Sequence, residues 1–203
     1  NGYDEHLIFE TMNEPRLRGT NYEWWNDLNS AEYKEASATL NKLNQLVLDT
    51  IRKSKGNNQK RFVMCPGLRA APDSVLAKEF EMPKDDAPGK LIVSVHMYDP
   101  YGFAMLSPGE SEFLPKHQNA IARTFKALKE KYTEDVLIGA GTVLDSETAR
   151  IAILNKADFV VSPSFNLDCA KLCNRYQIPY MPGCFSIREI VEAMEAGSDI
   201  IKI

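Results

Sequence analysis

The sequence lacks the charge and the apolar runs that would point to nucleic acid or membranes. Its 203 residues carry a formal net charge of −4, and a net negative charge does not attract the phosphate backbone of a nucleic acid. No apolar run approaches the length of a membrane-spanning helix. We therefore expect neither nucleic acid nor a membrane as a partner. Hydrophobic residues at 44% and charged residues at 26% are the balance of an ordinary globular protein.

Cofactor and metal motifs are also missing. None of the four cysteines, Cys65, Cys169, Cys173 and Cys184, has the spacing of a zinc site. Cys169 and Cys173 lie one helical turn apart and are expected to be reduced core thiols, which suits a reducing compartment or one indifferent to redox state. The run Gly139-Ala-Gly-Thr142 lacks the third glycine and the acidic partner of a dinucleotide loop. We predict no metal and no cofactor.

One short stretch combines a strand with a candidate catalytic carboxyl group. Residues 7–9 form an apolar run that predicts a β-strand, and Pro15 ends it because proline cannot donate to a ladder. Asn13 and Glu14 therefore stand at the carboxyl end of the strand, where parallel α/β folds carry their chemistry. A carboxylic acid beside an amide that can orient a substrate suits general acid/base catalysis. The alternative is a strand-end glutamate that is merely solvated.

Apolar runs separated by helical periodicity predict an α/β fold with parallel strands. Seven strands are expected, near residues 6–11, 61–65, 90–96, 135–139, 158–162, 178–182 and 199–203. Helices are expected near residues 120–132, 146–155, 167–176 and 186–196. The short connections favour βαβ units, and the length suits one large domain or most of a barrel.

Further candidate site residues follow the predicted strands. His96 and Tyr98 come at the end of the third strand, on the same side because they are two residues apart. Trp24 and Trp25 lie in the loop after the first strand, where indole rings can stack on sugar faces. The structural alternatives are a packed histidine, a tyrosine with a satisfied hydroxyl, and aromatic rings that plug the fold.

A lysine closes the last predicted strand. Lys202 stands in Ile-Ile-Lys-Ile, where apolar neighbours would desolvate its amine and leave it partly neutral and nucleophilic toward a carbonyl. The alternative is a lysine in solvent near the end of the chain. The sequence begins Asn1-Gly2 without methionine and stops inside an apolar run, so both ends look cut. The lack of a signal peptide therefore leaves localisation open.

The first part of the chain resembles the family-five glycoside hydrolases, the cellulase family. The resemblance is carried by His-Leu-Ile-Phe-Glu-Thr-Met-Asn-Glu-Pro-Arg at 6–16 and by the segments 19–25, 61–67 and 91–98, and it fades near residue 115. It implies a (β/α)8 barrel and a retaining endo-β-1,4-glucanase mechanism. The implied acid/base is Glu14, at the end of the fourth family strand. The implied partner is a β-glucan or oligosaccharide.

The resemblance also implies the surroundings of that acid. His96 would help to position the substrate, and Tyr98 would hydrogen-bond near the nucleophile. Asn13, Trp24 and Trp25 complete the expected substrate-binding set.

The second part resembles the class I aldolases acting on 2-keto-3-deoxy-6-phosphogluconate (KDPG) and 4-hydroxy-2-oxoglutarate (KHG). The matching segments are Ile138-Gly-Ala-Gly-Thr-Val-Leu144, Phe159-Val-Val-Ser-Pro163, 178–183 and 199–202. The resemblance implies a lyase in which Lys202 forms a Schiff base with a 2-keto acid such as pyruvate. It further implies that Thr142 and Pro163 line the substrate pocket.

Both catalytic sets are incomplete in these 203 residues. A retaining glycosidase needs two carboxylates about 5 Å apart, and the seventh-strand nucleophile is missing. The acidic residues after His96 are Asp99, Glu110, Glu112 and those of the aldolase-like part, and none follows a strand as expected. The aldolase-like part lacks the early strand with the family's catalytic glutamate and the later phosphate-binding turn.

The sequence therefore predicts a partial or hybrid (β/α)8 barrel. Residues 1–118 would be a cellulase-like half-barrel of family strands 4–6, and residues 119–203 an aldolase-like half-barrel of family strands 3–6. The join would be a truncated frame, a misjoined gene or an engineered chimera. Three functions stay open: an impaired glucanase, an aldolase using Lys202, and a non-catalytic scaffold. The aldolase-like part favours the cytoplasm, the cellulase-like part leaves secretion open, and a homo-oligomer is not excluded.

Overall fold

The computed structural model describes residues 7–25, 27–54, 56–98, 100–106, 108–132, 137–198 and 200–202. The chain divides into two compact units. The first comprises residues 1–96 with 131–137, and the second comprises 97–130 with 138–203. These two units are defined by contacts within the structure. They do not test the predicted join of two sequence families at residues 118 and 119, which stays a prediction.

A three-stranded parallel sheet forms the first unit's centre. Its strands are β1 (Phe9–Glu10), β2 (Val63–Pro66) and β3 (Leu91–Ser94), in that order. A single parallel bridge also joins Ile92 to Leu137. Because all these pairings are parallel, the carboxyl ends of the strands reach the same edge of the sheet.

One long helix covers this sheet. Helix α1 (Ala31–Lys53) begins where the Ser30 hydroxyl accepts a hydrogen bond of 3.0 Å from the Tyr33 N–H. That side chain satisfies one of the orphan amides of the first turn. Leu48, on the buried face of the helix, packs against Val63 of β2. A 3-10 turn and the short helix α2 (Pro72–Leu76) follow β2.

The second unit contains a smaller parallel sheet with helices around it. Strands β4 (Val160–Ser162) and β5 (Tyr180–Pro182) pair in register, with further bridges from Ala140 to Val160 and from Gly183 to Lys202. The helices are α3 (Tyr101–Ala104), α4 (Pro115–Lys131, whose last residue groups with the first unit), α5 (Ser146–Leu154), α6 (Leu167–Tyr176) and α7 (Ile187–Glu195). The four predicted helices correspond to α4 to α7.

The expectation of seven strands is wrong for the described residues, which form five. Residues 6, 135, 136, 199 and 203 lie outside the described part, so three predicted strands are described only partly. In the fourth predicted strand, near residues 135–139, the Ile138 amide donates a 2.7 Å hydrogen bond to the Asp158 carboxylate. A side chain thus takes an amide that a strand partner would otherwise use. Near the last, Lys202 contributes a single bridge.

The four cysteines are free and buried, which confirms the expectation made for Cys169 and Cys173. Burial raises the pKa of the Cys65 and Cys169 thiols to about 12 and that of Cys173 to about 11. These groups stay protonated and weakly nucleophilic at neutral pH. Among the described residues no helix is long and apolar enough to cross a bilayer.

Candidate functional site

A carboxyl group and an imidazole meet at the carboxyl edge of the first sheet. Glu14 follows β1 and His96 follows β3, and Oε1 of Glu14 lies 2.7 Å from Nδ1 of His96. Their side chains are 25% and 20% exposed, so a ligand can reach both. The expectation that the two residues share one rim is confirmed by this contact. Their catalytic and binding roles remain predictions.

Polar side chains link the three strands near their carboxyl ends. The Thr11 hydroxyl donates to the Asn44 side-chain oxygen over 2.6 Å, and the Asn44 amide donates to the Pro66 carbonyl over 3.1 Å. The Ser94 hydroxyl donates to the carboxylate of Glu10. Satisfied hydrogen bonds away from bulk water stiffen the groups that they join, so these contacts help the ends of β1, β2 and β3 to keep their spacing.

The loop after β1 presents the two indole rings. Trp24 is 65% exposed and Trp25 is 62% exposed. The Arg16 guanidinium carbon lies 4.4 Å from the centroid of one Trp24 ring, a cation–π contact that leaves the indole largely open. Asn13 is exposed as well. These side chains are accessible, as a sugar-binding role requires.

Tyr98 lies in the second unit, where its side chain is 39% exposed. Its expected place beside the acid stays a prediction. The neighbouring Asp99 lies outside the described residues.

The second unit brings three aldolase-like positions into one row. Ser162 pairs with Pro182, so Pro163 stands level with Gly183, which is bridged in turn to Lys202. A side-chain carbon on Gly183 would lie 2.1 Å from the Pro163 carbonyl oxygen, so only glycine permits this approach. The register therefore places Pro163 and Lys202 at one sheet edge.

Thr142 lies just before Val143, whose amide donates to Val161 over 3.0 Å. It has φ 56°, a left-handed conformation that is strained for a β-branched residue. Such strain concentrates at ligand sites.

Lys202 departs from its expected environment. Its side chain is exposed, so the desolvation expected from the flanking isoleucines is wrong for this structure. The Lys202 amide donates to the Pro182 carbonyl over 2.9 Å, so the main chain is held in place although the side chain is exposed. Its role as a Schiff-base lysine stays a prediction.

Glu110 sits in a charged cluster of the second unit that the sequence did not reveal. Its carboxylate lies 2.8 Å from the Lys116 ammonium and 2.6 Å from Nε2 of His117. The hydrogen bond from Lys116 holds the pKa of Glu110 below its usual range. Nδ1 of His117 accepts from the Leu114 amide over 3.0 Å, so Nε2 must carry the proton that Glu110 accepts. Glu110 is thus tied to the start of α4. No group of three potential metal ligands occurs among the described residues.

Comparison with known proteins gives two matches along the chain. Residues 2–147 match the family Cellulase (glycosyl hydrolase family 5), and residues 116–203 match the family KDPG and KHG aldolase. Endoglucanase A of Clostridium longisporum is 40% identical over 134 residues, which is 66% of this chain and 22% of that protein. The 2-dehydro-3-deoxy-phosphogluconate aldolase of Treponema pallidum is 46% identical over 68 residues, 34% of this chain and 32% of that protein.

A solved structure is similar over most of the chain. It is a mutant glycoside hydrolase 5 lichenase from Caldicellulosiruptor sp. F32 in complex with cellotetraose. The TM-score is 0.71 at 32% identity, and the match covers 95% of this chain and 57% of that one. This chain therefore spans little more than half the length of that neighbour. The likeness is consistent with a partial (β/α)8 barrel.

Proposed function

Because the chain belongs to glycosyl hydrolase family 5, the cellulase family, we propose that its first unit binds a β-1,4-glucan and keeps the acid/base half of a retaining endoglucanase site. The observation that supports this most directly is the 2.7 Å contact between Glu14 and His96 at the carboxyl edge of the sheet. The cellotetraose bound to the lichenase neighbour supports an oligosaccharide as the ligand.

The chemistry open to this half-site is proton transfer. Protonated Glu14 can donate to the glycosidic oxygen as the bond to the anomeric carbon breaks. The His96 ring nitrogen keeps the Glu14 carboxyl group in one orientation. Less conformational entropy is then lost when the group reaches the reactive geometry. Completion of a retaining cycle needs a second carboxylate on the opposite face of the sugar. We propose that this chain lacks that nucleophile and is therefore an impaired hydrolase.

The binding of cellotetraose tests the proposal without requiring turnover. We expect the unmodified chain to bind the sugar in isothermal titration calorimetry. Trp24→Ala should weaken binding about tenfold, because one stacked ring contributes roughly 1 kcal/mol beyond its area. Phe185→Ala is the matched control, since Phe185 is an aromatic side chain of the second unit that is 85% exposed. An unmodified chain that binds no cellotetraose would contradict the proposed function and favour the scaffold alternative.

A second candidate function is aldol cleavage through Lys202. It is favoured by the aldolase match over residues 116–203 and by the shared row of Pro163 and Lys202. In such a step the lysine amine attacks the carbonyl carbon of the 2-keto acid, and loss of water leaves an imine. The exposure of Lys202 weighs against it, because its side chain is not enclosed in the apolar surroundings that the sequence predicted.

Borohydride reduction in the presence of pyruvate tests this second candidate. We expect only background labelling by intact mass, equal in the unmodified chain and in Lys202→Arg. The arginine keeps the charge but cannot form the imine. One reduced pyruvate adduct per chain, lost in Lys202→Arg, would instead make aldol chemistry the leading function.

A further inference from the structure

A strained two-residue segment lies next to the candidate site. Arg69 has φ 58° and Ala70 has φ 49°, both in the left-handed region that L side chains rarely adopt. Glycine is the residue that usually fills such positions, because it lacks the Cβ that clashes there. Two consecutive non-glycine residues in this conformation must be held by their surroundings, and such strain concentrates at functional sites.

Two backbone hydrogen bonds tie this segment to the acid and to the histidine. The Arg69 amide donates to the Pro15 carbonyl over 2.7 Å, one residue beyond Glu14. The His96 amide donates to the Ala70 carbonyl over 2.7 Å. The segment therefore fixes the main chain on both sides of the Glu14–His96 contact.

The Arg69 side chain extends the same segment to the aromatic loop. Its guanidinium donates through Nη1 to the backbone carbonyl of Trp24. Nη2 lies 3.5 Å from the Asp73 carboxylate, and the Arg69 side chain is only 20% exposed. A guanidinium is planar and carries donors on three nitrogens. Contacts at two of these nitrogens therefore fix its orientation more firmly than the same contacts would fix a lysine ammonium.

We propose that Arg69 is a positioning residue that holds the Trp24 platform at a fixed place relative to Glu14. This inference rests on the proposed glucan-binding function. A sugar chain stacked on Trp24 presents its next glycosidic bond at a distance set by the sugar repeat. Arg69 is hydrogen-bonded to the carbonyls of both Pro15 and Trp24. These two bonds keep the distance between the Trp24 platform and Glu14 constant. The strain at Arg69 is tolerated because the same backbone turn aims its side chain at the Trp24 carbonyl.

The first experiment measures the loop without any ligand. The chain has two tryptophans, so in a Trp25→Phe background the emission comes from Trp24 alone. Arg69→Gly removes the side chain while glycine accepts the left-handed backbone without strain. We expect a faster and larger decay of Trp24 fluorescence anisotropy in Arg69→Gly, with an unchanged or higher melting temperature. Arg18→Ala, at an exposed arginine of the same loop, is the control that should leave the anisotropy unchanged.

The second experiment measures cellotetraose affinity with both tryptophans present. We expect Arg69→Gly to bind about tenfold more weakly than the unmodified chain, because a charge-assisted hydrogen bond that orders the platform is lost. Arg69→Lys keeps one donor and should recover part of that loss. Unchanged anisotropy or unchanged affinity in Arg69→Gly would overturn the inference. Failure of the proposed function gives a different result, because the unmodified chain itself would then bind no cellotetraose.

Discussion

An aryl β-cellobioside should be hydrolysed by this chain about 10⁴- to 10⁶-fold more slowly than by a retaining site with both carboxylates. In the proposed function Glu14 protonates the leaving oxygen, but no glycosyl-enzyme intermediate can form without a nucleophile on the other face of the sugar. Residues that act as one catalytic unit are strongly non-additive, so the loss of one removes nearly the whole chemical rate enhancement. The measurement is phenol release by the purified chain at saturating substrate.

Two controls make this negative result informative. Glu14→Gln should leave the already low rate almost unchanged. Added formate, a small carboxylate that can attack the anomeric carbon in place of the missing side chain, should raise the rate of the unmodified chain but not that of Glu14→Gln. A robust rate without formate, abolished by Glu14→Gln, would contradict the prediction. Another carboxylate would then serve as nucleophile, and Glu110→Gln and Glu112→Gln would be the first variants to test.

Asp85→Ala should lower the free energy of unfolding by about 3–5 kcal/mol, because it leaves the buried charge of Arg52 without its partner. Nε and Nη2 of Arg52 donate to the two Asp85 oxygens over 2.8 and 2.7 Å, with the side chains only 15% and 4% exposed. Nη1 also donates to the carbonyls of Asn58 and Arg61 over 2.8 and 2.9 Å. Arg52 thus ties the end of α1 to the segment before β3 through Asp85, and to the segment before β2 through Asn58 and Arg61. Urea unfolding monitored by circular dichroism measures the loss.

The effect of Asp85→Ala should depend on pH with a definite sign. Burial acts to raise the pKa of Asp85, but the hydrogen bond from Arg52 and the backbone amides outweigh it and hold the pKa below its ordinary value of 3.8. A depressed native pKa contributes stability that is present above the unfolded value and is lost as pH falls through the native one. The difference between the variant and the unmodified chain should therefore shrink below pH 3.8.

An exposed pair supplies the control for this experiment. Lys126 and Glu130 lie one helical turn apart at 3.7 Å, with side chains 77% and 67% exposed. Glu130→Ala should cost about 0.5 kcal/mol or less, because water already screens that pair. A loss as large as that of Asp85→Ala would show that burial does not set the difference.

The place of the acid could be predicted from the sequence because it depends on short-range rules. An apolar run marks β1, and Pro15 cannot extend it, so Glu14 must follow the strand. The same reasoning put His96 after β3. Parallel pairing then requires both ends to reach one edge, and the 2.7 Å contact agrees. Helices α4 to α7 were equally predictable, since their apolar residues recur at helical spacing.

Contacts between distant residues were decided by tertiary structure alone. The left-handed turn at Arg69 lies in a stretch without a turn signal at that position, and its partners Pro15 and Trp24 are 54 and 45 residues away in the chain. At a non-glycine residue such torsions are held by the surrounding structure, so the residue type at that position does not predict them. No sequence pattern predicts the contact between Arg52 and Asp85, which are 33 residues apart.

Lys202 shows both what the sequence predicts and what only the tertiary structure decides. Its apolar neighbours correctly marked a segment that pairs in parallel, here with Gly183. They did not determine burial, because exposure depends on which side chains pack around a bridge and on how far its ladder extends. The sequence by itself determined the family, the parallel α/β class and the strand-end acid. Only the tertiary structure decided what surrounds each charged side chain, because burial is a property of packed elements and not of a local pattern.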